Sequence, residues 1–123
     1  MNSDTTKNFV IQEHTTPHGV HWDFMLEMEN ALWTWRLSTA PAEINNEAVG
    51  AERIHDHPLK FLTYEGPVQY GTGQVTIADK GIYSLTKRLE NSLLIDIKGK
   101  VLKGEFTLCK LKDSPFWRLQ SGA

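Results

Sequence analysis

The chain has 123 residues, of which 40% are hydrophobic, 10% aromatic and 23% charged, the range of one globular domain that can bury its own core. Its formal net charge of -2 excludes a broadly basic surface, so any hold on a nucleic-acid backbone needs local positive charge or a metal ion. The single cysteine, Cys109, excludes an intramolecular disulfide and a cysteine-rich zinc cage, and no stretch has the length of a membrane span or the pattern of a secretion signal, so a cytoplasmic protein is expected.

In chain order, residues 1–8 are polar and read as a flexible N-terminus, with one domain over 9–120. "FVIQ" (9–12) opens a strand, and "HTTPHGV" (14–20), with Pro17 and Gly19, reads as a hairpin tip. From His21 the period is two: Trp22, Phe24, Leu26 and Met28 share an apolar face, while His21, Asp23, Met25 and Glu27 share a face that carries chemistry. "ENALWTWRLST" (29–39) reads as a turn into another strand, with Leu32 or Trp33 packing inward. "APAEINNEAVGAER" (40–53) is the one plausible helix, kept short by "NN" and Gly50. Beyond it come a strand at "RIHDHPL", a loop punctuated by Pro and Gly, a strand over "QVTIA", a turn at "DKG" and a strand over "IYSLT". Two strands joined at "KGK", a kink at Gly104 and a last strand in "PFWRLQ" complete the pattern. About eight short strands with at most one or two short helices predict a mostly β fold, an antiparallel barrel or sandwich, with the barrel preferred.

All five histidines fall into two clusters, His14, His18 and His21 in the first and His55 and His57 in the second. Residues two apart on a strand point the same way, so His21 and Asp23 offer an imidazole and a carboxylate from one ridge. His14 folds back beside them if the loop is a hairpin, and His57 can join from another strand. Two or three imidazoles with one carboxylate suit manganese, iron(II) or zinc better than calcium or magnesium. Each residue also has a plainer reading: His18 as a solvent-exposed loop residue, "HDHP" as a polar turn, Glu27 as a solvated strand residue, the four tryptophans as core and Cys109 as a small packing residue. The GxG of "YGTG" lacks the Lys-Ser/Thr ending of a phosphate loop and reads as a tight turn.

Beyond these spacings, the sequence resembles the 3'-phosphoesterase domain found at the N-terminus of bacterial DNA ligase D and as stand-alone proteins, and it reads as a stand-alone, divergent member. "FVIQEH" followed by "HWDFMLE" resembles the family's F-V-x-Q-x-H and H-x-D-x-R-L-E. "DHPLKF", "YEG" and "YGTGQV" resemble a second block, and "KGKVLKGEFTLCKL" with a late "WRL" a third. The resemblance implies a small barrel whose groove holds a divalent ion, manganese first and zinc or another transition metal next, on His14, His21 and Asp23. It implies that His57 contacts the phosphate and that Gln12 is the family glutamine of the catalytic set. The reaction implied is removal of a terminal ribonucleoside and then of the 3'-phosphate from DNA or RNA-DNA 3' ends, in company with a ligase or polymerase.

The departures concern the phosphate. Met25 stands where the family has arginine, Phe61 where it has tyrosine, Thr39 near an expected lysine and Val49 near an expected arginine, and His14 and His21 are one residue further apart than usual. Arg36, Arg53 or Lys60 are candidate substitutes, with Arg53 as the substrate-binding residue. Two alternatives stay open at this point: a degenerate homologue that binds metal and a nucleic-acid end or protein partner without turnover, and an iron oxygenase with His21, Asp23 and His57 as a facial triad.

Overall fold

The computed structural model describes residues 6–44, 47–68 and 71–122. Nine strands lie in one sheet: β1 (Thr6–Thr16), β2 (Gly19–Met28), β3 (Ala31–Leu37), β4 (Val49–His57), β5 (Gly66–Pro67), β6 (Gln74–Leu89), β7 (Ser92–Gly99), β8 (Lys103–Lys110) and β9 (Phe116–Ser121). The order is β1-β2-β3-β4-β9-β8-β7-β6-β5, all neighbours are antiparallel, and β1 also pairs with β6. That last pairing closes eight strands into a barrel and leaves the two-residue β5 on the rim. Closure removes the exposed edges that an open sheet of this length would present.

Alternation fills the barrel. Phe9, Ile11, Phe24, Leu26, Trp35, Leu37, Ile95, Ile97, Leu108 and Leu119 point inward and form one buried cluster, with Trp22, Trp33 and Trp117 packed against it. The tryptophans are therefore core, and of the pair Leu32 and Trp33 it is Trp33 that faces this interior. Tyr83, buried in the same cluster, donates its hydroxyl to the Glu27 carbonyl at 2.7 Å, and burial raises its pKa. Cys109 is exposed rather than packed, because Phe106 and Leu108 fix the opposite parity as the inward one.

The structure differs from the sequence reading in three segments. Thr6, Lys7 and Asn8 are not a loose end: they pair with Ser84, Tyr83 and Ile82, and Glu27 accepts from both the backbone N–H and the side-chain amide of Asn8. Residues 1–5 lie outside the described residues. The expected helix over 40–53 is a 3-10 turn at Pro41–Glu43 followed by β4, with the "NN" pair outside the described residues. "DKG" is no chain turn but a corner within the 16-residue strand β6. The register against β1 shifts between Ile11 and Gln12, so the strand bends there. At Gly81 a Cβ would stand 2.1 Å from the Lys98 carbonyl oxygen, which only glycine permits.

Asp79 holds that corner. Its buried carboxylate accepts the backbone N–H groups of Lys80 (2.9 Å), Lys100 (2.8 Å), Val101 (3.1 Å) and Leu102 (2.8 Å), so one side chain satisfies the β7–β8 loop. Asp79→Ala strands these donors, and a loss of about 3 kcal/mol in urea unfolding is expected; a variant as stable as wild type would show that water replaces the carboxylate.

Candidate functional site

The β1–β2 hairpin builds the site. Its tip is only Pro17 and His18, and the pairing His14↔His21 and Gln12↔Asp23 follows from it. All four side chains then share the outer face of the barrel, since Phe9, Ile11, Trp22 and Phe24 take the inner one. His14 Nδ1 lies 3.0 Å from His21 Nε2, and His21 Nε2 lies 3.6 Å from Asp23 Oδ1. Among the described residues these three form the one group of histidine, cysteine and carboxylate ligands that could hold an ion, their ligand atoms all within 4.8 Å of one another. Bonds of about 2.1 Å to one ion set ligand atoms about 3.0 to 3.4 Å apart, so the donor set fits a transition metal with little movement. His57 is not in this group, which removes the His21, Asp23 and His57 triad.

The ring nitrogens are oriented by neighbours. His14 Nε2 donates to the Thr72 carbonyl at 3.0 Å, leaving the Nδ1 lone pair aimed at His21. The carbonyl comes this close because a Cβ at Gly73 (φ +94°) would lie 2.0 Å from Thr15 O, so glycine is required in "YGTG". Tyr70 of that block is outside the described residues. Burial lowers the His21 pKa, partly opposed by the Asp23 charge and reinforced by Arg36 and His14. Arg36, directly across from Asp23 on β3, brings Nε within 3.3 Å of its Oδ1.

A short segment covers the rest of this face. The 3-10 turn Leu59–Leu62 lays Phe61 and Leu62 on Val10, Met25 and Leu32, a second apolar cluster outside the barrel. Met25 is thus completely buried although it lies on the face that carries the ligands. Gln12 Nε2 donates to the carbonyls of Phe61 (3.1 Å) and Tyr64 (2.9 Å), and the Glu65 carboxylate accepts the Ile77 N–H at 2.8 Å, so the segment is tied at both ends. Between cover and barrel lies a cavity of about 280 Å³, whose polar lining includes His14, Asp23, Arg36, His55, His57 and Lys60. Lys60 Nζ sits 5.5 Å from the Phe61 ring centre, and the Tyr64 hydroxyl donates to the Pro67 carbonyl.

His57 faces the cavity from β4 through a route the sequence reading missed. The Thr34 hydroxyl donates to the Leu32 carbonyl at 3.0 Å, so toward His57 Nδ1, also 3.0 Å away, it can only accept. Nδ1 likewise meets the His55 carbonyl at 3.1 Å, so Nδ1 carries the proton and Nε2 the lone pair. His55 stacks on His57 with ring centres 4.6 Å apart. Burial and the nearby His55 lower the His57 pKa, which the Asp23 charge partly offsets.

The other predicted positions fall elsewhere. Arg53 lies outside the cavity, its guanidinium 5.0 Å from the Trp35 ring centre and paired with Asp56 at 2.9 Å. Arg36 and Lys60 are the basic residues that the fold brings to the cavity. His18 is exposed at the hairpin tip, Glu27 is engaged with Asn8, and Val49 packs against the barrel core.

The sequence profile of the DNA ligase D 3'-phosphoesterase domain matches residues 12–110. The chain belongs to this family. It is 33% identical over 112 residues to the multifunctional non-homologous end joining protein LigD of Mycobacterium bovis, covering 83% of this chain and 14% of that protein. The corresponding protein of Mycolicibacterium smegmatis is 28% identical over 118 residues, covering 85% of this chain and 15% of that protein. The Pseudomonas aeruginosa protein is 29% identical over 79 residues, covering 62% of this chain and 9% of that protein. The chain thus spans about one seventh of the length of the mycobacterial relatives. Met25 and Phe61, at the positions where the resemblance leads one to expect arginine and tyrosine, meet in the apolar contact between cover and barrel. No described helix is long and apolar enough to cross a membrane.

Because burial favours neutral His57, the unfolded chain holds that proton more tightly. The metal-free protein should keep full stability above pH 6.5 and lose some as the pH falls below it. Nuclear magnetic resonance should show His57 titrating below 6.5 with its proton on Nδ1; a midpoint above 6.5 would contradict the burial argument. Thr34→Val should weaken the Nδ1 preference without abolishing it, since the His55 carbonyl still accepts from Nδ1, while Thr34→Ser should retain it in full.

Proposed function

We propose that this chain is a divalent-metal phosphoesterase that acts on nucleic-acid 3' ends, removing a terminal ribonucleoside and a 3'-phosphate. The supporting observation is the convergence of His14 Nδ1, His21 Nε2 and Asp23 Oδ1 beside a cavity that also receives His57, Arg36 and Lys60. Manganese is the first candidate for the ion, with zinc or another transition metal next, since two imidazoles and a carboxylate suit this class. When bound, such an ion would polarise a phosphoryl oxygen and acidify a water.

The protein's own groups do the rest. His57 Nε2, held as the acceptor by the bonds at Nδ1, takes the proton of the attacking water. In the diester step the P–O5' bond breaks and that proton passes to the leaving 5' oxygen of the terminal ribonucleoside, which leaves a 3'-phosphate; in the monoester step the P–O3' bond breaks and the proton passes to the leaving 3' oxygen, giving a 3'-hydroxyl and inorganic phosphate. Arg36 supplies the guanidinium that the family carries at the position of Met25, from the neighbouring strand rather than from two residues along the same one. Lys60 supplies a second cation on the opposite wall, without the hydroxyl that Phe61 lacks. Gln12 acts by holding the cover segment, since its amide nitrogen is engaged with two carbonyls there. The relatives are named for non-homologous end joining, so a ligase or polymerase is the partner class proposed.

A second reading rests on the buried Met25 and on Arg36 being drawn to Asp23: a relative that binds metal and a nucleic-acid end without turnover. The test is a primer-template with a 3'-phosphate or a single 3'-ribonucleotide, incubated with the metal-stripped protein with and without manganese. Manganese-dependent trimming, abolished by Asp23→Ala and slowed about a hundredfold by Arg36→Ala, is expected. Metal binding with no trimming by the wild type would replace this reading with the second one.

A further inference from the structure

His55 is the histidine of the second cluster whose side chain the reaction above leaves unused. Its ring lies parallel to that of His57, with 14° between the planes and 4.6 Å between the centres, so one of its two faces is covered. Of the rings that line the cavity, those of His14, His57, Phe61 and Tyr64 are half-buried, whereas that of His55 is exposed. Phe61 meets His57 at 77° and Tyr64 at 90°, edge-to-face contacts that pack these rings into the wall. The free face of His55 is therefore the flat ring surface that the cavity offers at its mouth.

We propose that the free face of His55 is a stacking platform for the base of the nucleoside that carries the leaving oxygen. The proposal rests on the phosphoesterase reading and adds to it a contact for the substrate beyond its phosphate. The path of the proton places this nucleoside. His57 passes a proton to the leaving oxygen, so that oxygen stands within hydrogen-bond reach of Nε2, and the sugar and base attached to it lie beside the His57 ring. The ring next to His57 at the cavity mouth is His55. In the diester step the base is that of the terminal ribonucleoside, and in the monoester step it is the last base of the primer; in both it is the outermost base of the strand. Such a base keeps its outer face uncovered while paired to a template, so stacking on His55 leaves the pairing intact. An imidazole takes any base in this way, because every base has a π face.

The experiment compares two primer-templates with a 3'-phosphate, one ending in an ordinary deoxynucleotide and one in a tetrahydrofuran abasic residue, using manganese-loaded wild type, His55→Ala and His55→Phe. His55 is exposed, so neither variant removes a core contact. Wild type should show a KM about tenfold lower for the primer that keeps its last base. His55→Ala should bring the two KM values together, and His55→Phe, which keeps a flat ring without charge, should restore the difference. An effect passed through His57 falls on both primers alike and leaves their KM ratio unmoved. Equal KM values for both primers in wild type, a difference kept in His55→Ala, or one lost in His55→Phe as in His55→Ala would overturn the platform and leave the phosphoesterase reading standing. Turnover of neither primer by wild type would overturn both.

Discussion

The pairing of β1 with β2 decides where the chemistry stands. With His14 opposite His21 and Gln12 opposite Asp23, the candidate metal ligands project from the barrel while Phe9, Ile11 and Phe24 fill it. A slip of one residue would turn the two imidazoles and the carboxylate into the apolar interior and expose the core residues, so burial of the core and placement of the ligands enforce the same register. The tight Pro17-His18 tip and the closing pairing with β6 leave β1 little freedom to slip.

Among the described residues apolar side chains fill the barrel, and the candidate site lies on its outer wall, roofed from outside. The segment after β4 provides that roof, held by Gln12 and Glu65 and by a small apolar cluster around Met25 and Phe61. Apolar residues at positions 25 and 61 then belong together, as they pack in one contact that a guanidinium would disrupt unless it were paired. Charge moves to Arg36 and Lys60, which reach the same cavity from the strand beside Asp23 and from the roof. The negative net charge is consistent with this economy of cations: the positive groups are local.

Much of this was legible in the sequence because a period of two is a strong signal and the ligand residues share one strand parity. His14, His21 and Asp23 meet as their spacing suggested, and the strand count and barrel closure follow from short alternating runs. What could not be read depends on contacts distant in sequence. "DKG" looks like a turn, yet the register shift beside it and the four N–H groups bound by Asp79 make it a corner. Arg53 looks like a groove cation, but the register shift between β3 and β4 turns it toward Trp33 and Trp35. Thr34 gave no signal, since a threonine in an apolar strand is ordinary until His57 is seen beside it. Met25 shares the face of His21 and Asp23, and nothing local announces the roof that buries it.

The most direct test of the account is where a manganese ion settles. Crystals of the protein grown with manganese should give an anomalous peak between His14 Nδ1, His21 Nε2 and Asp23 Oδ1, beside the cavity that His57 faces. A peak at another set of ligands, or none at saturating manganese with the three side chains well ordered, would contradict the assignment of this face as the metal centre.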